Sequence, residues 1–150
     1  MSDIRLEKMN STHIDDLAEI ERACFSEPWS REGIAAELSN PNAVFYVAVQ
    51  DGKAVGYGGM HHIVDVCYIA NIAVLPEARR CGIGKKLLTA LCDYAKEAGA
   101  AEITLEVRQS NRAAIDLYVK MGFETVGKRK DFYKKPTEDA NIMTKNICNI

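Results

Sequence analysis

The stretch from Val66 to Gly99 narrows the possible folds more than any other part of the chain. A long apolar strand over 66–74 ends at Pro76. A short polar turn carries Arg79 and Arg80, and Gly82-Ile83-Gly84 then opens a helix that runs to Gly99, its expected C′ residue. Leu87, Leu88, Leu91 and Ala95 recur at helical spacing and form the buried stripe of that helix. The first turn of a helix carries unpaired backbone N–H groups and the positive end of the macrodipole. Glycines let the backbone approach a bulky phosphate, and the two arginines add full charge. Residues 79–84 are therefore a candidate cradle for the pyrophosphate of a nucleotide-type cofactor. The plain alternative is an ordinary glycine-rich helix start.

The glycine spacing discriminates among nucleotide folds. A dinucleotide fingerprint needs a third glycine where Leu87 stands. A Walker loop needs Ser or Thr after Gly84-Lys85, and Lys86 is there instead, with no glycine at Arg79. What remains is Arg-x-x-Gly-x-Gly after a strand.

The rest of the chain reads as alternating short elements. Ile4 and Leu6 alternate with charged residues as a first strand, and Asn10 or Ser11 caps a helix to about Cys24. A loop follows over 25–29, then a short helix from Ser30 closed by Asn40-Pro41. Strands are expected over 43–49, 55–63 and 66–74, the first two joined by the hairpin signal Asp51-Gly52. After the 82–99 helix come a strand with Ile103, Leu105 and Val107 on one face and a helix over 111–121. The chain then gives a strand ending near Val126, a loop at 134–136 and a final strand from Ala140 to about Ile147. Strand, two helices, three strands, helix, strand, helix, two strands implies a mixed α/β sheet rather than a doubly wound one.

At 150 residues, nearly half of them apolar, the chain suffices for one domain over 1–150 with a real core. A net charge of −2 argues against a nucleic-acid binder. The five cysteines (24, 67, 81, 92 and 148) are irregularly spaced, so neither a disulfide framework nor a zinc site is expected. Adjacent His61 and His62 would point to opposite faces of a strand, a poor chelating pair, and no metal is expected. No apolar run approaches membrane-spanning length, so the expectation is a soluble, unprocessed cytoplasmic protein with no membrane partner.

With those residues in view, the sequence resembles the GNAT N-acetyltransferase superfamily. Its hallmark Arg/Gln-x-x-Gly-x-Gly/Ala is matched by residues 79–84, and residues 71–76 also look like the family. A second block follows at family-like spacing: residues 105–108, Ser110-Asn111, Ala114-Ile115, and Leu117-Tyr118 through Gly122-Phe123. This block is most similar to the bacterial branch that acetylates the N-terminal alanine of a ribosomal protein. The resemblance covers nearly the whole chain. It implies a twisted, mostly antiparallel sheet with one splayed parallel pair and flanking helices. It also implies acetyl-CoA as co-substrate, with the pantetheine arm on the backbone of Ile72, Ala73 and Val74. The pyrophosphate would lie on Arg79, Arg80, Cys81, Gly82, Ile83, Gly84 and Lys85. Cys81 departs from the Lys or Arg frequent there in the family. It is an exposed thiol more than a catalyst.

Acetyl transfer to an amine needs the amine neutral, the developing oxyanion stabilised and the departing thiolate protonated. Glu106 interrupts the Ile103-Leu105-Val107 alternation and so faces the other side of its strand, as either a solvated carboxylate or a base. Tyr118 is one helical turn from Ile115, so it is either a core aromatic or an acid with a phenol proton to give. The resemblance implies the second role for each, with the oxyanion held by a backbone N–H near Val74. Asn111 fits a helix N-cap, and by resemblance a CoA contact. Pro28, Trp29 and Tyr133 are candidates for the wall of a peptide groove. Acidic residues 15, 16, 19 and 21 of the first helix would attract a basic peptide or simply be solvated. No cysteine fits a ping-pong nucleophile, which points to direct transfer in a ternary complex. The acceptor implied is a protein N-terminus, the alanine of a small-subunit ribosomal protein. A small amine or lysine acceptor, and a non-catalytic CoA-binding module, are the alternatives.

Overall fold

The computed structural model describes residues 3–147. Cys148 and the tail to residue 150 lie outside the described residues. The elements run β1 (Arg5–Lys8), α1 (Ile14–Cys24), α2 (Arg31–Ala36), β2 (Ala43–Gln50), β3 (Lys53–Ile63), β4 (Val66–Val74), α3 (Ile83–Glu97), β5 (Glu102–Arg108), α4 (Arg112–Lys120), β6 (Glu124–Lys134) and β7 (Thr137–Asn146). The expected order is therefore the observed one. No helix among the described residues is long and apolar enough to cross a membrane.

Local chemistry explains the boundaries. Asn10 caps the turn that leads into α1, accepting from the Thr12 N–H at 2.9 Å. Ser30 caps α2 by accepting from the Gly33 N–H at 3.0 Å. Gly82, with φ +77°, turns the chain into α3, a left-handed conformation that L side chains rarely adopt. Gly99 closes that helix with φ +79°.

The strands form one sheet in the order β1-β2-β3-β4-β5-β7-β6. Every neighbouring pair is antiparallel except β4 and β5. The β4–β5 ladder is short: residues 66–68 pair with 102–104 and no further. Side chains on β3 are sorted by face. Tyr57 packs towards α1, while Gly58 presses its bare Cα against Leu87 and Leu91 of α3. Gly59 leaves no room for a Cβ unless the Phe45 ring moves. The buried core divides in two. One cluster joins α1, β2 and β3 through Leu17, Ile20, Phe45 and Tyr57; the other joins β5, α4 and β7 through Ile103, Tyr118 and Met143. α3 feeds both, Leu87 into the first and Leu88 and Leu91 into the second.

Three expectations need correction. β6 does not stop near Val126 but continues to Lys134, and β7 starts at Thr137 rather than Ala140. The expected 134–136 loop is a tight turn between them. Most of β6 is exposed, so it carries little apolar alternation; its pairing with β7 makes it a strand. Glu21 is not a solvated member of an acidic face: it is fully buried.

Candidate active site

The parting of β4 from β5 creates a cleft. Past Tyr68 the facing edge of β4 has no strand partner. A bulge sharpens the divergence: Asn71 pairs with Gly59 and Ile69 with Met60, leaving Ala70 unpaired. The resulting cleft has a volume of about 520 Å³ and is bounded by residues 69–72 of β4 and 105–108 of β5. The start of α4, the loop after α1 and the end of β6 complete its walls.

Glu106 and Tyr118 both line this cleft. Glu106 alternates with buried Leu105 and Val107, which commit the opposite face of β5 to the core. Its Oε2 accepts from Arg129 Nε at 2.7 Å. Tyr118 is 8% exposed, and its ring lies 5.6 Å from that of Phe123. Burial, with a smaller contribution from Tyr133, pushes its phenol up to about 12. The group thus keeps its proton at neutral pH and can donate it in a hydrogen bond.

Trp29 and Tyr133 reach the cleft as well. Pro28 is exposed and not part of the lining. Tyr133 lies under the Arg108 guanidinium, 4.4 Å from ring centroid to Cζ. Arg108 also donates to the Pro136 carbonyl at 2.9 Å, the Lys135 carbonyl at 3.3 Å and Glu138 at 3.1 Å. Glu138 accepts in turn from the Ser110 N–H at 2.6 Å, which, ahead of Arg108, holds its carboxyl below the ordinary range. The Ser26 hydroxyl donates to the Lys135 carbonyl, so the loop after α1 meets the β6–β7 turn. Asn111 lines the cleft and caps α4, its Oδ1 accepting from the Ala114 N–H at 3.2 Å.

The 79–84 turn sits apart from these residues, at the N-terminus of α3. No side chain caps that end. Around Gly82 the space where a Cβ would stand is open, and Arg80, Cys81 and Lys85 are exposed. Uncapped N–H groups, open backbone and nearby cations fit a pyrophosphate. Arg79, also exposed, lies back against the chain: its Nε donates to the Val74 carbonyl at 3.0 Å and its Nη2 meets Cys24 Sγ at 3.5 Å. Ile72 lines the cleft, Ala73 is buried, and Val74 presents its carbonyl to Arg79. Ile83 is buried and anchors the turn, and a Cβ at Gly84 would meet Leu117 at 3.7 Å.

Sequence reasoning missed Arg129 and the Glu21 group. Arg129 contacts Glu106 only because of strand register, which nothing local announces. Glu21 did leave a trace. It stands four residues after Leu17 and three before Cys24, a carboxylate within the apolar stripe of α1. Among the described residues no cluster of His, Cys, Asp or Glu could hold a metal ion.

Comparison with known proteins gives a consistent answer. The model of the acetyltransferase (GNAT) family matches residues 14–123. A Bacillus subtilis (strain 168) protein provisionally named a ribosomal protein bS18-alanine N-acetyltransferase is 39% identical over 136 residues, 90% of each chain. The Escherichia coli (strain K12) protein named for the same activity is 34% identical over 142 residues, covering 92% of this chain and 94% of its own. The crystal structure of the ribosomal-protein-S18-alanine N-acetyltransferase from Escherichia coli superposes with a TM-score of 0.91 at 31% identity, over 99% of this chain and 96% of that one.

Proposed function

The chain belongs to the acetyltransferase (GNAT) family, and on that premise we propose that it acetylates the N-terminal α-amine of a protein from acetyl-CoA. The acceptor we assign is the N-terminal alanine of ribosomal protein bS18, and the compartment is the cytoplasm. The observation that carries the reading is the presence of Glu106 and Tyr118 on one cleft, opened by the divergence of β4 from β5. Similarity over nine-tenths of the chain to relatives named for this activity supports the choice of acceptor.

Acetyl-CoA supplies an acyl group already activated as a thioester. The protein's task is to bind, orient and move protons. The uncapped first turn of α3, with Arg80 and Lys85 beside it, holds the pyrophosphate. The unpaired edge of β4 around residues 72–74 offers backbone groups to the pantetheine arm, and an N–H near Val74 stabilises the oxyanion. Glu106 takes the proton of the attacking amine, directly or through one water. An α-amine of pKa about 8 yields its proton to such a base more readily than a lysine of about 10.4. Tyr118, whose buried phenol is neutral at working pH, returns a proton to the departing thiolate. Trp29 and Tyr133 wall the acceptor side, and no enzyme thiol becomes acylated.

The test is thiol release from acetyl-CoA with defined acceptors. Turnover on alanine-initiated bS18 peptides, and none on the same peptides with blocked N-termini, is expected. Turnover restricted to lysine side chains or small amines would replace the acceptor assignment. Tight CoA binding without turnover on any amine would make the chain a binding module. An acetylated enzyme intermediate would overturn direct transfer.

A further inference from the structure

Glu21 is the one buried carboxylate among the described residues. It is fully shielded from solvent and has no Lys or Arg partner among the described residues. A carboxylate removed from water without a cation is tolerated only when hydrogen bonds replace its hydration. Three donors do so here. The Trp29 N–H reaches Oε1 at 2.8 Å, and Asn71 Nδ2 reaches Oε2 at 3.1 Å. The Tyr57 hydroxyl also donates to Oε2, while Asn71 Nδ2 lies 3.3 Å from the Tyr57 oxygen. Burial, with the Glu21 charge second, pushes the Tyr57 phenol far up, so it stays a donor.

Two of these donors come from the two walls that define one side of the cleft. Trp29 belongs to the loop after α1, and Asn71 follows the bulge that turns β4 away from β5. The loop is fastened to Glu21 at both ends. Its first residue, Phe25, donates its N–H to the Glu21 backbone carbonyl at 2.9 Å, and Trp29 donates to the side chain. One residue thus closes the loop and ties it to the diverging strand.

We infer that Glu21 is a positioning residue for the acceptor: its buried carboxylate fixes the 25–29 loop against β4 and so sets the wall on which the incoming peptide N-terminus rests. The role rests on the acetyltransferase reading given above. Glu21 does not touch the reacting atoms. Both of its oxygens accept from donors of the protein itself, and Glu106 remains the base of the proposed reaction.

Glu21→Gln tests this, because an amide has one acceptor oxygen for three donors. At least one donor, in the loop or on β4, loses its partner. With the full chain and an alanine-initiated peptide, the acceptor KM should rise about tenfold, the equivalent of one unmet hydrogen bond. The kcat at saturating peptide and the affinity for acetyl-CoA should stay near the wild-type values. Trp29 is the chain's single tryptophan, so acrylamide quenching of its fluorescence reads the loop directly and should increase. Should Glu21→Gln not fold, Asn71→Ala decides by the same split. Unchanged acceptor KM, or parallel loss of kcat, acetyl-CoA affinity and thermal stability, would overturn the role. Increased quenching without a change in KM would overturn it as well. Wild-type protein inactive on every amine would remove the functional reading and this role together, whereas an active wild type with an unchanged variant removes the role alone.

Discussion

The Glu106 carboxylate and the Arg129 guanidinium meet at 2.7 Å although their strands are not neighbours. β7 runs between them. Arg129 stands opposite Ala140 in one ladder, and Arg108 stands opposite the same alanine in the other. That small side chain leaves Arg129 room to reach diagonally to Glu106. One carboxylate oxygen is taken by the arginine, which leaves the other for the acceptor amine or its water in the proposed reaction.

Replacing Glu106 by Gln removes the proposed base and preserves shape. Turnover of an alanine-initiated peptide should fall by about 10²-fold or more, with acetyl-CoA affinity unchanged. Steady-state kinetics and equilibrium binding separate the two. Lost affinity with turnover intact would make Glu106 structural.

Arg129→Ala isolates the orienting contact. Both partners are partly solvated, 56% and 30% exposed, so the pair contributes about 1 kcal/mol or less to stability. Thermal unfolding should hardly move, while kcat drops by roughly tenfold as the carboxylate loses its fixed direction. Arg129→Lys should restore part of the loss. A kcat equal to wild type in Arg129→Ala would dismiss the contact as incidental.

Tyr118→Phe should slow thiol release and leave the packing against Phe123 intact. The folded phenol lies at about 12, above its ordinary value of 10. The neutral form therefore contributes stability that is fully present below pH 10 and lost as pH rises through about 12. Denaturant midpoints across that window should fall more steeply for wild type than for Tyr118→Phe. Identical slopes would show that burial of the phenol carries no such linkage.

The cysteines offer a chemical map of the cradle. Burial raises the Cys67 thiol to about 11 and also raises Cys92, and both are shielded. Cys81 is exposed beside Gly82. Iodoacetamide near neutral pH should label Cys81 well before Cys67 or Cys92, and acetyl-CoA should slow that labelling. Peptide mass mapping reads each site. Labelling of Cys81 indifferent to acetyl-CoA would move the pyrophosphate away from this turn.

Gly59→Ala should be among the most damaging small substitutions. Its new methyl would collide with Phe45, whose ring is held between Trp29, Tyr57 and His61. With nowhere for the ring to go, a cost of about 1–3 kcal/mol or more is expected. A shift in the urea midpoint measures it, and a stability equal to wild type would show that Phe45 has a second resting place.

Much of this architecture is legible in the chain because burial writes itself into periodicity. β5 alternates, α3 carries a clean apolar stripe, and Gly82 and Gly99 punctuate it. β6 is opaque for the opposite reason. It is mostly exposed, so its eleven residues hold their shape through the ladder with β7 and leave no apolar rhythm. At the site, the residues alone leave Glu106 and Tyr118 each open between two readings, and the family resemblance is what points both to the cleft. Arg129 was not legible, since its partner depends on the offset of two ladders. Glu21 was misread because a carboxylate on a helix normally means water, and only the meeting of α1 with Tyr57 and Asn71 reverses that.

The brevity of the β4–β5 ladder has a mechanical consequence. Strands β1 to β4 form one antiparallel half and β5, β7 and β6 another, three paired positions stitch the sheet between them, and Met60, Cys67 and Ile69 of the first half pack into the apolar cluster of the second. A ligand lying in the open part of that seam adds backbone contacts where the sheet itself has none. It closes the unfinished ladder. At a hundred times its dissociation constant such a ligand stabilises the native state by about 2.7 kcal/mol through mass action alone. That energy acts along the seam, so the two halves should resist separation most strongly when the acetyl donor is between them.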